Sequence, residues 1–80
     1  MVSLSKIVKE DAAWVERSGI EIDADSKYST VAIGDDIFMQ GQEADEFNEE
    51  TERIYNLTGD TTMDECAAHL ARPYIECLGE

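Results

Sequence analysis

Leu4, Ile7, Val8, Ala12 and Val15 recur at the spacing of one helical face. That spacing predicts an amphipathic helix over residues 4–17, with Trp14 flanking the apolar stripe. Ser3 or Ser5 can cap its start, and Gly19 can end it. The period then falls from 3.6 to 2. Ile20 to Asp23 alternates apolar and acidic residues, as a half-exposed strand does. Asp25, Ser26 and Lys27 read as a turn. From Tyr28 to Ile33, Val31 and Ile33 alternate with Tyr28, Thr30 and Ala32 in a segment rich in β-branched residues. Gly34, Asp35 and Asp36 give a tight turn, and residues 37–40 are the return strand. Connections this short join only antiparallel neighbours, so the three segments form a meander.

The helical period returns over residues 42–58. Ala44, Phe47, Thr51, Ile54, Tyr55 and Thr58 gather on one side, and Gly59 follows as a C-terminal cap. Thr62 and Glu65 then match a capping box, in which each side chain accepts the other's backbone N–H. The third helix is expected to bury Met63, Cys66, Ala67, Leu70, Ala71 and Tyr74. Pro73 has no N–H to donate, so this helix should kink or restart near Arg72. The chain therefore reads as one α+β domain spanning residues 1–80, in the order α-β-β-β-α-α. Its three-stranded antiparallel sheet carries the helices on one face.

Composition changes the picture through charge. The 80 residues hold 19 acids against 6 Lys and Arg, a formal net charge of −13. Self-repulsion of this size opposes compaction. One Trp, three Tyr, two Phe and the clear periodicity argue for a folded chain all the same. The charge also argues against direct contact with nucleic acid or an anionic membrane, and points to basic partners. No apolar run is long enough for a membrane span, and Met1 to Ser5 lacks a basic leader. Two cysteines, Cys66 and Cys77, do not make a secreted disulfide framework. The expectation is a soluble cytoplasmic protein, monomeric or dimeric.

No motif for catalysis emerges, and no cofactor is expected. Asp23, Asp25, Asp35 and Asp36 invite a calcium loop, which needs Gly at its sixth position and Glu at its twelfth. Those positions here hold Tyr28 and Gly34. Cys66, His69 and Cys77 are three zinc candidates where a structural site takes four. The two cysteines also lie about 16 Å apart on a straight helix. The expectation is two buried free thiols and an exposed imidazole. Ala24, Asp25 and Ser26 echo the carrier-serine motif of acyl carrier proteins, but Lys27 and a β-rich stretch follow in place of an apolar residue and a helix.

The remaining feature is EADEFNEETE, residues 43–52. Phe47 and Ile54 mark its buried stripe. Glu43, Glu46 and Glu50 fall on one flank with Arg53, the sole basic neighbour. Asp45, Glu49 and Glu52 fall on the back. Like charges at i+3 and i+4 cost a few tenths of a kcal/mol per pair. From Glu21 to Glu65 there are 14 acids and only Lys27 and Arg53 as cations. A charge run of this kind is most simply a solvated face. Carboxylates on rigid elements can also stand in for phosphates in an Arg- and Lys-lined groove. Asp35 and Asp36 at the hairpin tip join the candidate partner-binding set, and Asp60, Asp64 and Glu65 can extend it.

In size, acidity, element order and its EADEFNEETE helix, the chain resembles small phage-encoded anti-CRISPR proteins of the DNA-mimic kind. The resemblance implies an inhibitor that blocks a nucleic-acid-binding protein or ribonucleoprotein complex in the host cytoplasm. No single motif carries it, so no residue role is transferred. The competing class is an immunity or antitoxin protein, with Trp14, Tyr28 or Tyr55 as aromatic anchors on a basic toxin. A third is an accessory protein whose acidity only solubilises it.

Overall fold

The Ser3 hydroxyl accepts the Lys6 amide at 3.2 Å and starts helix α1 (Leu4–Ser18). The Gly19 N–H closes it on the Glu16 carbonyl. Strands β1 (Ile22–Asp25), β2 (Thr30–Ile33) and β3 (Ile37–Gln40) follow, then helices α2 (Gln42–Thr58) and α3 (Met63–Leu78). This computed structural model describes residues 3–78, so the start at Met1 and Val2 lies outside the described residues. The order is α-β-β-β-α-α, an α+β fold, as the hydrophobic periods require.

The sheet is an antiparallel meander with β2 in the middle. Its register aligns Ile22, Ile33 and Ile37 in one row, and Ala24, Val31 and Met39 in another. Paired residues share a face, so these rows form the side on which α2 and α3 pack. Val31, Ile33 and Met39 are buried there. The intervening row of Asp23, Ala32 and Phe38 faces away, and Phe38 is 61% exposed.

Two strand boundaries differ from the sequence pattern. β1 begins at Ile22 rather than Ile20, and the Gly34 amide bonds the Glu21 carbonyl at its entry. Ile20 packs as coil against the core, and a Cβ at Gly34 would sit 3.2 Å from its methyl. With φ at +60°, that corner suits glycine on both counts. β2 begins at Thr30 rather than Tyr28, because the Asp25 carboxylate accepts the Lys27 amide and holds a turn. Tyr28 is left 69% exposed, and Ser29 takes a left-handed φ of 51°.

The helices bury narrower faces than the pattern suggests. Val8 and Val15 of α1 are buried, but Leu4 and Ile7 stay near 40% exposed. Their end of α1 meets the α2–α3 loop through polar contacts of Ser5 and Lys9 with Asp60, which cover no apolar side chain. In α3 the capping box forms as expected. Its small residues Ala67, Ala68 and Ala71 let it lie close between α1 and α2. Ala68 and Ile75 are buried in place of Met63 and Tyr74, which are at least 40% exposed. Tyr55 of α2 is also exposed. α3 runs as one helix through Pro73. The neighbouring Arg72 is tied to Asp11 of α1 and Ile75 is held in the core, so both sides of the proline are anchored.

Candidate acidic interaction surface

Ala44, Phe47, Thr51 and Ile54 form the buried stripe of α2. The Thr51 hydroxyl donates to the Phe47 carbonyl, so the one polar member of the stripe is satisfied. With that stripe inward, Glu43, Asp45, Glu46, Glu49 and Glu52 are exposed and Glu50 is half-buried. Glu43 and Asp45 lie in the first turn, where the helix dipole favours negative charge.

Half of these acids are answered within the chain. Asp45 accepts from the Ser29 hydroxyl at 2.6 Å, and Glu46 accepts from Gln42 at 3.4 Å. Glu50 grips Arg53 through both carboxylate oxygens. The hydrogen bond from Arg53 holds the Glu50 carboxyl below its ordinary value and raises Arg53 in turn. Among the described residues, Glu43, Glu49 and Glu52 have neither hydrogen bond nor ion pair. α2's only cation is therefore engaged, and these three carboxylates remain available to a partner.

The structure distributes the eight candidate residues over three places. Asp45, Glu49 and Glu52 edge a cleft of about 630 Å³ between α1, β1, α2 and the start of α3. Glu16, Asp64 and Glu65 complete its rim. Glu43, Glu46 and Glu50 edge a shallower groove over Phe47, Leu70 and Tyr74. Asp35 and Asp36 sit at the β2–β3 turn beside Glu21 and Asp23, around a third depression. Asp60 is exposed but engaged. The Ser5 hydroxyl, and after it Lys9, hold its carboxyl below the ordinary value.

Glu16 and Asn48 belong to the cleft and were not singled out by the sequence. Glu16 reads as an ordinary solvent-facing position of α1. Asn48 is, with Thr51, one of two uncharged polar residues inside the acidic run, which is the only signal it offers. Its side-chain nitrogen is buried without a hydrogen-bond partner. Cys66 is a buried thiol as expected, whereas Cys77 and the imidazole differ from expectation. Cys66 is buried against the Thr61 hydroxyl, Cys77 is exposed, and His69 is half-buried on Asp11. Among the described residues no three His, Cys, Asp or Glu side chains are grouped to hold a metal. Trp14 lies under the Arg72 guanidinium at 4.7 Å, so of the three aromatic anchor candidates Tyr28 and Tyr55 are the exposed ones.

Among the described residues no helix is long and apolar enough to cross a membrane. Comparison with protein-family models, curated proteins and solved structures finds no match.

Proposed function

We propose that the protein is an inhibitory binding protein that occludes a basic nucleic-acid-binding surface of its target. It acts as a DNA mimic of the anti-CRISPR type, in the cytoplasm of the host cell, by binding alone and without a cofactor. The observation that carries this reading is the set of unpaired, exposed carboxylates on α2: Glu43, Glu49 and Glu52. Glu49 and Glu52, three residues apart, stand about 5–6 Å from one another at Cβ on the cleft side of α2, and Glu43 adds a charge on its other flank. The net charge of −13 adds long-range attraction to a basic target and repels nucleic acid itself. The target is a nucleic-acid-binding protein or ribonucleoprotein complex.

The test is charge reversal at the unpaired positions. Glu43→Lys with Glu49→Lys should abolish capture of the target at unchanged thermal stability. Glu50 is a poorer probe, because its reversal would set a lysine against Arg53. Capture that survives the double reversal would remove α2 as the interface. The exposed Tyr55 and Tyr28 favour one second reading, an immunity protein with aromatic anchors on a toxin. The two separate on competition: nucleic acid displaces a mimic from its target, whereas a non-nuclease toxin keeps its inhibitor.

A further inference from the structure

The rim of the cleft between α1, β1, α2 and α3 is acidic, but its floor is not. Val15, Ile20, Ile22, Met63, Ala67 and Ala68 line it. Met63 is 44% exposed here, at the first position of α3. No Lys or Arg is among the lining residues, while Glu16, Asp45, Glu49, Glu52, Asp64 and Glu65 surround the opening. The side-chain nitrogen of Asn48, also part of the wall, is buried and has no hydrogen-bond partner. A buried donor left unpaired is costly to the fold, and here it sits in the wall of the cleft.

Each feature narrows the occupant. A phosphate backbone or anionic lipid is repelled by six carboxylates. A small inorganic cation gains nothing from an apolar floor, and no metal-binding group of three side chains is present among the described residues. A purely basic surface would satisfy the rim and leave the floor wet. The combination fits a segment with apolar side chains on one face and Lys or Arg flanking them.

We propose that this cleft is a docking site for a basic amphipathic segment of the partner protein, which seats a large apolar side chain on Val15, Ile22 and Met63 and places its Lys or Arg side chains on the acidic rim. The inference rests on the reading of the protein as a binder of a basic target. It adds that the charge steers the encounter while the apolar floor supplies much of the affinity.

Ala24 is an exposed β1 residue that lines the cleft, so Ala24→Phe fills it without touching a buried position. The probes are two fluorescein-labelled helical peptides of about 14 residues and equal positive charge. One is built of Leu and Lys with an apolar face, the other of Gln and Lys. Fluorescence anisotropy at low salt should show the Leu/Lys peptide binding at least about tenfold more tightly, the effect of seating one large apolar side chain. Ala24→Phe should erase that advantage and leave Gln/Lys binding unchanged. Amide NMR shifts on Leu/Lys binding should centre on Ile22, Asn48 and Ala67. Equal binding of the two peptides, or shifts centred on Phe38 instead, would overturn the cleft and leave the charge reading standing. Binding of neither peptide would overturn both. Self-association of the protein that Ala24→Phe abolishes would assign the cleft to a second copy of this chain, and so would also overturn the proposal.

Discussion

The carboxylate of Asp11 on α1 accepts the Arg72 guanidinium of α3 at 2.7 Å. Its second oxygen meets the His69 ring, and Arg72 stacks over Trp14. Among the described residues, three of the six Lys and Arg side chains are used in ion pairs. Lys9 reaches Asp60, Arg53 is held by Glu50, and Arg72 also approaches Glu76. Acids near a cation stabilise the fold, whereas Glu43, Glu49 and Glu52 of α2, with Asp35 and Asp36 at the β2–β3 turn, are left over as surface among the described residues.

Asp11→Ala should destabilise the protein by about 1–3 kcal/mol, because it removes a half-buried acceptor shared by two donors. Asp11→Asn keeps the shape and one acceptor, and should lose less. Urea denaturation measures both. Loss of partner binding by Asp11→Ala at full stability would mean that the acid belongs to the interface instead.

Added salt should act in opposite directions on stability and on binding. Screening relieves the self-repulsion of a chain with net charge −13, so the melting temperature should rise from low to moderate ionic strength. The same screening should slow association with a basic target. A melting temperature that falls with salt would show that the internal ion pairs outweigh the repulsion.

Acid should remove part of the fold's support at defined positions. The folded values of Asp60 and Glu50 lie below their ordinary 3.8 and 4.5. A lowered carboxyl stabilises the fold fully above its unfolded value and loses that support as pH falls through the folded one. Asp60→Asn should therefore destabilise the protein at about pH 6 and make little difference at about pH 2. Chemical denaturation at the two pH values checks the sign. An equal effect at both would assign Asp60 a role independent of its charge.

Gly59→Ala should lose about 1 kcal/mol, since Gly59 closes α2 with φ at 74° and nothing near its Cα to reward a methyl group. Thr62→Ala should lose a similar amount by opening the capping box at the start of α3. Circular dichroism melts report both, and because neither residue lies on α2's acidic face, partner binding should be unchanged.

Much of this architecture is legible in the sequence, because local chemistry and hydrophobic period agree. α2 begins at Gln42 and ends at Thr58 as the pattern predicts, and the cap at Ser3 and the box at Thr62 and Glu65 form. What the pattern misjudges depends on neighbours distant in sequence. Met63 and Tyr74 have the right period for burial but border open grooves rather than another helix. Ala68 and Ile75 are buried because α3 is sandwiched closely, which no window of α3 alone reveals. The acids of α2 are obvious as a run. Their separation into a cleft rim and a groove edge follows only from where α1 and α3 pack, and the place of Asn48 in the cleft wall is equally invisible in the run.

The most direct test of the account is capture of the target by the tagged protein from host lysate, followed by challenge with double-stranded DNA and RNA. The account predicts that a nucleic-acid-binding protein or ribonucleoprotein complex is retained, that nucleic acid displaces it, and that Glu43→Lys with Glu49→Lys fails to retain it. A partner that nucleic acid cannot displace, or that the doubly reversed protein holds as tightly, would contradict it.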